Sequence, residues 1–270
     1  MKTLIDANYH SHTSRCGHAF GADEEYVLAA MEAGFKVLGF SDHVMLPKAN
    51  QPGMRGDISL LSDYVYSVTS LKRKYAGQIE IFLGFECEWY YAEYENYYRD
   101  LLTKYGFDYL IMGQHCFRMD DKFVYYSSVA DEKQGVELYV KDVLAGINSG
   151  LFAYVAHPDH FLLWYGKWDE TAEKASWAIC KAAKEKGIPL EINMGPSRWK
   201  AKTSLDDLSI ICYPYRKFFE IAKEVGNDVV IGVDAHAPSD YATSDHQWAY
   251  DFATRLGFQP LTRIKFPSIK

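Results

Sequence analysis

Between Asn8 and His18 the chain reads Asn-Tyr-His-Ser-His-Thr-Ser-Arg-Cys-Gly-His, which gathers three of its nine histidines into one short stretch. In extended backbone, side chains two apart share a face, so His10 and His12 can grip the same cation, with His18 following on a loop. Metal binding is the chemistry this spacing suggests, and it needs partners elsewhere. The chain supplies Asp42 and His43, Glu86, His115, His157, and Asp234 with His236. Asp234-Ala-His236 repeats the i, i+2 logic of His10-Ser-His12. Asp42 and His43 are adjacent and point oppositely if extended. His43 is therefore read as the ligand, and Asp42 either orients an imidazole from behind or adds a ligand of its own. Glu88 could share the face of Glu86, and otherwise is a solvated or hydrogen-bonded carboxylate. Seven imidazoles and two carboxylates exceed the four ligands of a tetrahedral zinc, so the expectation is two or three divalent ions. Three such ions would carry a charge of about six against about two from Glu86 and Asp234, leaving a positive pocket suited to a phosphate dianion. Glu86, shared between ions, would hold them roughly 3.5–4 Å apart, the separation used in two-metal hydrolysis.

Such residues can converge only if the fold delivers them to one place. Seven apolar runs have strand length: 3–9, 37–41, 79–86, 109–113, 152–156, 189–193 and 229–233. Helical patterns separate them, the clearest with Val136, Val140, Val143, Leu144 and Ile147 on one stripe, another with Phe218, Ile221, Ala222 and Val225. Asp23, Glu24 and Glu25 suit the positive end of a helix after the first strand. Gly34, Gly77, Gly106, Gly150, Gly187, Gly226 and Gly257 each follow a helical pattern, as C-terminal caps do. Spacings of this size fit βαβ crossovers rather than hairpins. The expected architecture is a distorted (β/α)7 barrel, an α/β fold one unit short of the eight-unit form, in a single domain over residues 1–270. An open parallel sheet is the alternative. In either case functional groups collect at the carboxyl ends of the strands, where the candidate ligands fall.

The formal net charge of −7 and the lack of a basic run argue against nucleic-acid or anionic-membrane partners and leave a small phosphorylated substrate as the expected one. Five scattered cysteines without a C-x-x-C pair favour a reducing, cytoplasmic setting. No apolar run is long enough to span a bilayer. Oligomeric state is not legible.

The order Tyr-His-Ser-His-Thr with Cys-Gly-His, Phe-Ser-Asp-His, Gly-Phe-Glu, Phe-Asp-Tyr-Leu-Ile-Met-Gly-Gln-His, Ala-His-Pro-Asp and Gly-Val-Asp-Ala-His resembles the PHP (polymerase and histidinol phosphatase) family across essentially the whole chain. The resemblance implies a trinuclear site of zinc, manganese or iron, with metal positions at His10, His12, His18, His43, Glu86, His115, His157, Asp234 and His236. Cys-Gly-His, Leu-Glu-Ile-Asn and Tyr-Pro look most like the histidinol-phosphatase branch, which acts in histidine biosynthesis. There Arg198 would contact substrate phosphate, as its guanidinium fork allows. A basic residue common in that branch after His-Pro-Asp is absent; His160, Lys167 or Arg118 could replace it. Trp89 lies close enough in sequence to Glu86 to wall the pocket, and the tyrosine-rich run that follows reads as helix surface and packing.

The resulting expectation is hydrolysis of a phosphomonoester, L-histidinol phosphate first, by a metal-activated hydroxide attacking phosphorus. Asp159 and His160 are the candidate acids for the leaving alkoxide. The rival readings are a phosphoesterase acting on a nucleotide or sugar phosphate, an amidohydrolase barrel, which shares the opening His-x-His and the late aspartate, and a non-catalytic metal-binding domain.

Overall fold

A strand buried on both faces must be covered on both, and the runs rich in valine, isoleucine and phenylalanine meet that condition in a parallel sheet flanked by helices. The computed structural model describes residues 4–198, 212–242 and 245–269. Strands β1 (Ala7–Asn8), β2 (Val37–His43), β3 (Glu80–Cys87) and β4 (Tyr109–Met112) pair in that order, all parallel. A hairpin of β5 (Cys116–Met119) and β6 (Lys122–Tyr125) follows, and β7 (Leu190–Asn193) pairs in parallel with β8 (Val229–Gly232). Single bridges connect Met112 to Val155, Val155 to Leu190 and Ser11 to Ala235. These links carry the sheet around from β4 through Val155 to β7, and from β8 back to β1, as the expected ring of seven.

The helices are α1 (Asp23–Ala33), α2 (Leu61–Lys74), α3 (Ala92–Thr103), α4 (Glu132–Ser149), α5 (Phe161–Tyr165), α6 (Glu170–Lys186), α7 (Arg216–Val225) and α8 (Asp245–Arg255). Gly34, Gly150, Gly187 and Gly226 cap α1, α4, α6 and α7 in the left-handed conformation. None of the helices among the described residues is long and apolar enough to cross a membrane.

Four expectations need correction. The first strand is two residues of ladder rather than seven, and its start at Thr3 lies outside the described residues. The reason is Asn8, whose side chain accepts from Val233 N at 2.9 Å and donates to His10 O at 2.9 Å, doing by amide what a ladder would do by backbone. The 152–156 run holds only one bridged residue, although Ala153, Val155 and Ala156 still donate to Leu110, Pro189 and Met112 at 2.8–3.0 Å. The stripe on α4 is rotated: Tyr139 and Gly146 join Val136, Val143 and Ile147 in the core, whereas Val140 and Leu144 are half-buried. The hairpin at 116–125 was not expected.

Inside the ring, Ala7, Tyr9, Val37, Tyr109, Ile111, Tyr154 and Val230 form an apolar cluster near the strand starts. Tyr109 reaches across to donate to Tyr9 O at 2.7 Å, and a side chain at Gly39 on β2 would collide with its hydroxyl. The larger cluster lies between strands and helices. It leaves the strand ends free to carry polar groups.

Candidate metal centre

β2 and β3 run in register, with His43 opposite Glu86, and each brings its last polar residue to the same rim. Gly113 follows β4 because any Cβ there would collide with the Glu86 carboxylate. β1 gives way to His10 and His12, the segment after Val155 to His157, and β8 to Asp234 and His236. His157 and Asp234 have left-handed backbones, φ 31° and 52°. Such non-glycine conformations cost on the order of 1–3 kcal/mol each and persist where neighbours hold them. Here Glu191 Oε2 accepts the His157 amide at 3.0 Å, and Arg198 donates to the carbonyls of Val233 and Asp234 at 2.8 and 2.5 Å.

Glu86 occupies the middle. Its Oε2 lies 3.5 Å from Nε2 of both His10 and His12 and 3.1 Å from His43 Nδ1. Its Oε1 lies 2.7 Å from His157 Nε2 and 3.6 Å from His115 Nε2. Asp234 Oδ1 stands 3.1 Å from His12 Nε2 and 3.5 Å from both His10 Nε2 and His236 Nδ1. Ligand-type atoms therefore group as His10, Glu86 and His157; His43, Glu86 and His115; His10, His12 and Asp234; and His12, His43 and His236. His18 belongs to none of these sets, but its ring is 4.8 Å from that of His236 and 5.3 Å from that of His43.

Several of these atoms are buried without a hydrogen-bond partner among the described residues: His10 Nε2, both His12 nitrogens, His43 Nδ1, Glu86 Oε2 and Asp234 Oδ1. Buried polar atoms are normally satisfied, so this concentration of lone pairs aimed at one volume fits divalent cations. Electrostatics agree. Burial opposes charge on Glu86, but His115, His10 and His43 hold its carboxyl well below the usual range, and Asp234 is likewise held down by His10 and His12. Burial would lower His12, yet the nearby carboxylates of Asp234, Asp42 and Glu86 lift it to about 9. His10 is raised against burial by Glu191, Asp234 and Glu86. Burial pushes His43 well down, takes His236 to about 3 and lowers His18.

The site opens into a cavity of about 650 Å³ whose walls include Trp164, Leu163, Met54 and Pro196 beside the histidines. His160 faces it, with its ring 5.2 Å from His157 and 5.4 Å from His115, and burial holds its imidazole neutral near pH 7. Arg198 is at the edge, with Nε 3.6 Å from Asp240 in addition to its two carbonyl contacts. Asp42 stands behind His12 at 3.7 Å and also takes the Thr13 hydroxyl and the His43 amide.

Other expected residues are elsewhere. Asp159 is fully buried, accepts from Tyr215 N at 2.7 Å and does not reach the cavity, which removes the geometric basis for its role as an acid. Burial pushes its carboxyl up to about 6. Arg118, on the hairpin, pairs with Glu93 at 3.3 Å and stacks on Phe123, away from the site. Lys167 pairs with Glu132 at 2.7 Å on the surface. Trp89 packs on Tyr98 and Phe152 in the core rather than walling the pocket, and the tyrosine run is more interior than expected, with Tyr90, Tyr94 and Tyr98 buried.

Two residues escaped the sequence reading. Glu191 lies within β7, wholly buried, and Arg55 lies in the loop before α2, 2% exposed. The signal for Glu191 was available, since a carboxylate inside an otherwise apolar parallel strand must find partners. Arg55 had none.

Residues 8–195 match the PHP domain family. The chain is 28% identical over 244 residues to the "Probable histidinol-phosphatase" of Deinococcus radiodurans, covering 89% of each chain. It is 25% identical to a "Probable phosphatase" of Caldicellulosiruptor saccharolyticus, over 90% of this chain and 84% of that one. Its fold is shared with histidinol phosphate phosphatase of Lactococcus lactis, solved with zinc, L-histidinol and phosphate, at a TM-score of 0.73 and 18% identity over 97% of this chain and 99% of that one. With the strand-end histidines and acids drawn to one rim of a parallel ring, and more than half of its length matched, this chain belongs to the PHP domain family.

Proposed function

We propose that the chain hydrolyses a phosphomonoester, L-histidinol phosphate, to L-histidinol and inorganic phosphate. The observation that carries this reading is the set of buried, unpartnered imidazole and carboxylate atoms lining an open cavity of about 650 Å³, within the size range of small-molecule sites. The Deinococcus radiodurans relative, which covers 89% of the chain, carries the same activity in its name.

Two or three divalent ions, zinc, manganese or iron, would be held by His10, His12, His18, His43, Glu86, His115, His157, Asp234 and His236, and when bound would supply Lewis acidity and lower the pKa of water toward neutrality. The remaining chemistry belongs to the chain. Arg198 stands at the cavity edge, where guanidinium donors beyond those given to Val233 and Asp234 suit phosphate oxygens. Of the two sequence-expected acids only His160 faces the cavity, so it is the one placed to hydrogen-bond the ester or leaving oxygen. Trp164 and Leu163 give an apolar wall against which the organic part of the ester can lie, keeping water from that side.

Phosphate release from a panel of phosphomonoesters, by metal-stripped protein reloaded with zinc, manganese or iron, tests the proposal. Histidinol phosphate is expected to be the best substrate. Turnover confined to sugar phosphates or nucleotides would replace the substrate and keep the chemistry, an outcome to which the broader "Probable phosphatase" relative gives weight. Failure on every phosphomonoester would sink the hydrolase reading.

A further inference from the structure

Two carboxylates outside the expected ligand set stand directly behind two of its histidines. Glu191 Oε1 is 2.9 Å from His10 Nδ1, and Glu88 Oε1 is 3.2 Å from His115 Nδ1. An ionised carboxylate can only accept, so each Nδ1 carries the hydrogen and donates it. In the neutral ring that a metal requires, the lone pair is then on Nε2, at the far side of each ring. His10 Nε2 points at Glu86 and Asp234, 3.5 Å from each, and His115 Nε2 lies 3.6 Å from Glu86 Oε1.

Both carboxylates are themselves held. Glu191 accepts from the His157 amide at 3.0 Å and from Asn193 Nδ2 at 2.8 Å, and Gly232 on the neighbouring β8 leaves it room that any Cβ would fill. Glu88 accepts from Arg55 Nη2 at 2.9 Å, and Arg55 is fixed in turn by Val44 O and Gln51 Oε1, each at 3.0 Å. A buried guanidinium anchored to backbone is a rigid base for a carboxylate. The two supports differ in their other partners: Glu88 pairs with the Arg55 guanidinium, whereas Glu191 is met by the neutral donors His157 N, Asn193 Nδ2 and Tyr154 Oη.

We propose that Glu191 and Glu88 are positioning residues which fix the Nδ1–H tautomers of His10 and His115 and aim their Nε2 lone pairs at the metal sites, with Arg55 anchoring Glu88. Buried carboxylates behind ligating imidazoles orient the ring and raise its basicity, and their loss costs about ten- to a hundredfold in metal affinity. Glu191, whose other donors are all neutral, should give the larger loss.

The inference rests on the metal reading of the pocket and not on any substrate. Zinc alone is the probe. In zinc-loaded protein labelled with ¹⁵N-histidine, His10 and His115 should each show a hydrogen at Nδ1 and zinc at Nε2. By chelator competition, Glu191→Ala and Glu88→Ala should weaken zinc binding about ten- to a hundredfold, with Glu191→Gln and Glu88→Gln recovering part of the loss because the amide oxygen still accepts. Arg55→Met combined with Glu88→Gln avoids an isolated buried cation and should weaken zinc binding further than Glu88→Gln alone, because the anchor is gone. Zinc bound at Nδ1 in the unaltered protein, or unchanged affinity in folded alanine variants, would overturn the proposal. If an alanine variant does not fold, the tautomers of the unaltered protein still decide. Neither readout uses histidinol phosphate, so failure of the substrate assignment is separately visible.

Discussion

The two ends of the barrel are made from the same strands and hold opposite kinds of interior. At the strand starts, Tyr9, Phe82 and Tyr109 meet Phe266 from the C-terminal segment, which stacks on Tyr109 at 5.1 Å and 13°. Leu261 N joins that segment to Val229 O at 2.8 Å. This floor is apolar, and its hydroxyls have carbonyl partners. The rim at the other end packs charged groups together, leaves polar atoms unpartnered and keeps His157 and Asp234 in left-handed backbone. One end gains stability from burial, and the other holds strain and unsatisfied lone pairs in a form that cations can use. Removing a group from the rim should therefore cost function and little stability, and removing one from the floor should do the reverse.

The largest effect should come from the rim. His157→Asn is expected to lower phosphate release on the order of a hundred- to a thousandfold, with the thermal midpoint of metal-free protein nearly unchanged. A large fall in that midpoint, followed by circular dichroism, would erase the distinction between the ends. For the floor, Phe266→Ala should destabilise by roughly 2–4 kcal/mol, less than a fully buried phenylalanine because Phe266 is half-buried. Chemical unfolding measures this, and zinc bound per folded chain should not change.

Solution pH sharpens the same contrast. In metal-free protein His12 is lifted from 6.5 to about 9 and His10 is also raised, so their contribution to stability is complete below the unfolded value and is lost as pH climbs toward 9 and above. His18, His43 and His236 are lowered, so over that window they are neutral in both states and add no slope. Metal-free protein should thus become less stable from about pH 7 to 9. Zinc must displace the same protons, so its affinity should rise over this range, with proton release detectable in weak buffer. A pH-independent affinity would mean the rim histidines are not the ligands. The smallest effect should be that of Arg118→Ala: because Arg118, on the hairpin, pairs with Glu93 of α3 away from the cavity, KM for the phosphomonoester should stay within about twofold.

Much of this was legible because a parallel βα ring obeys a simple rule. Apolar runs alternate with helices, glycines stop the helices, and polar residues at strand ends share one rim. His10, His12, His43, Glu86, His115, His157, Asp234 and His236 reach that rim as their positions after each run imply, with His18 beside them. The family match ends at residue 195, yet Asp234 and His236 complete the geometry.

What the linear chain determined, then, was periodicity and the chemical type of each strand end. Tertiary structure alone decided which way Asp159 and Arg118 turn, that the Ser11–Ala235 bridge and the Asn8 amide rather than a longer ladder close the ring, and that Glu191, Glu88 and Arg55 support the histidines. These are contacts between residues far apart in sequence, such as His10 with Glu191 and Arg55 with Glu88. Local preference is blind to them, because a buried charge is tolerated only where the folded chain happens to bring it a partner.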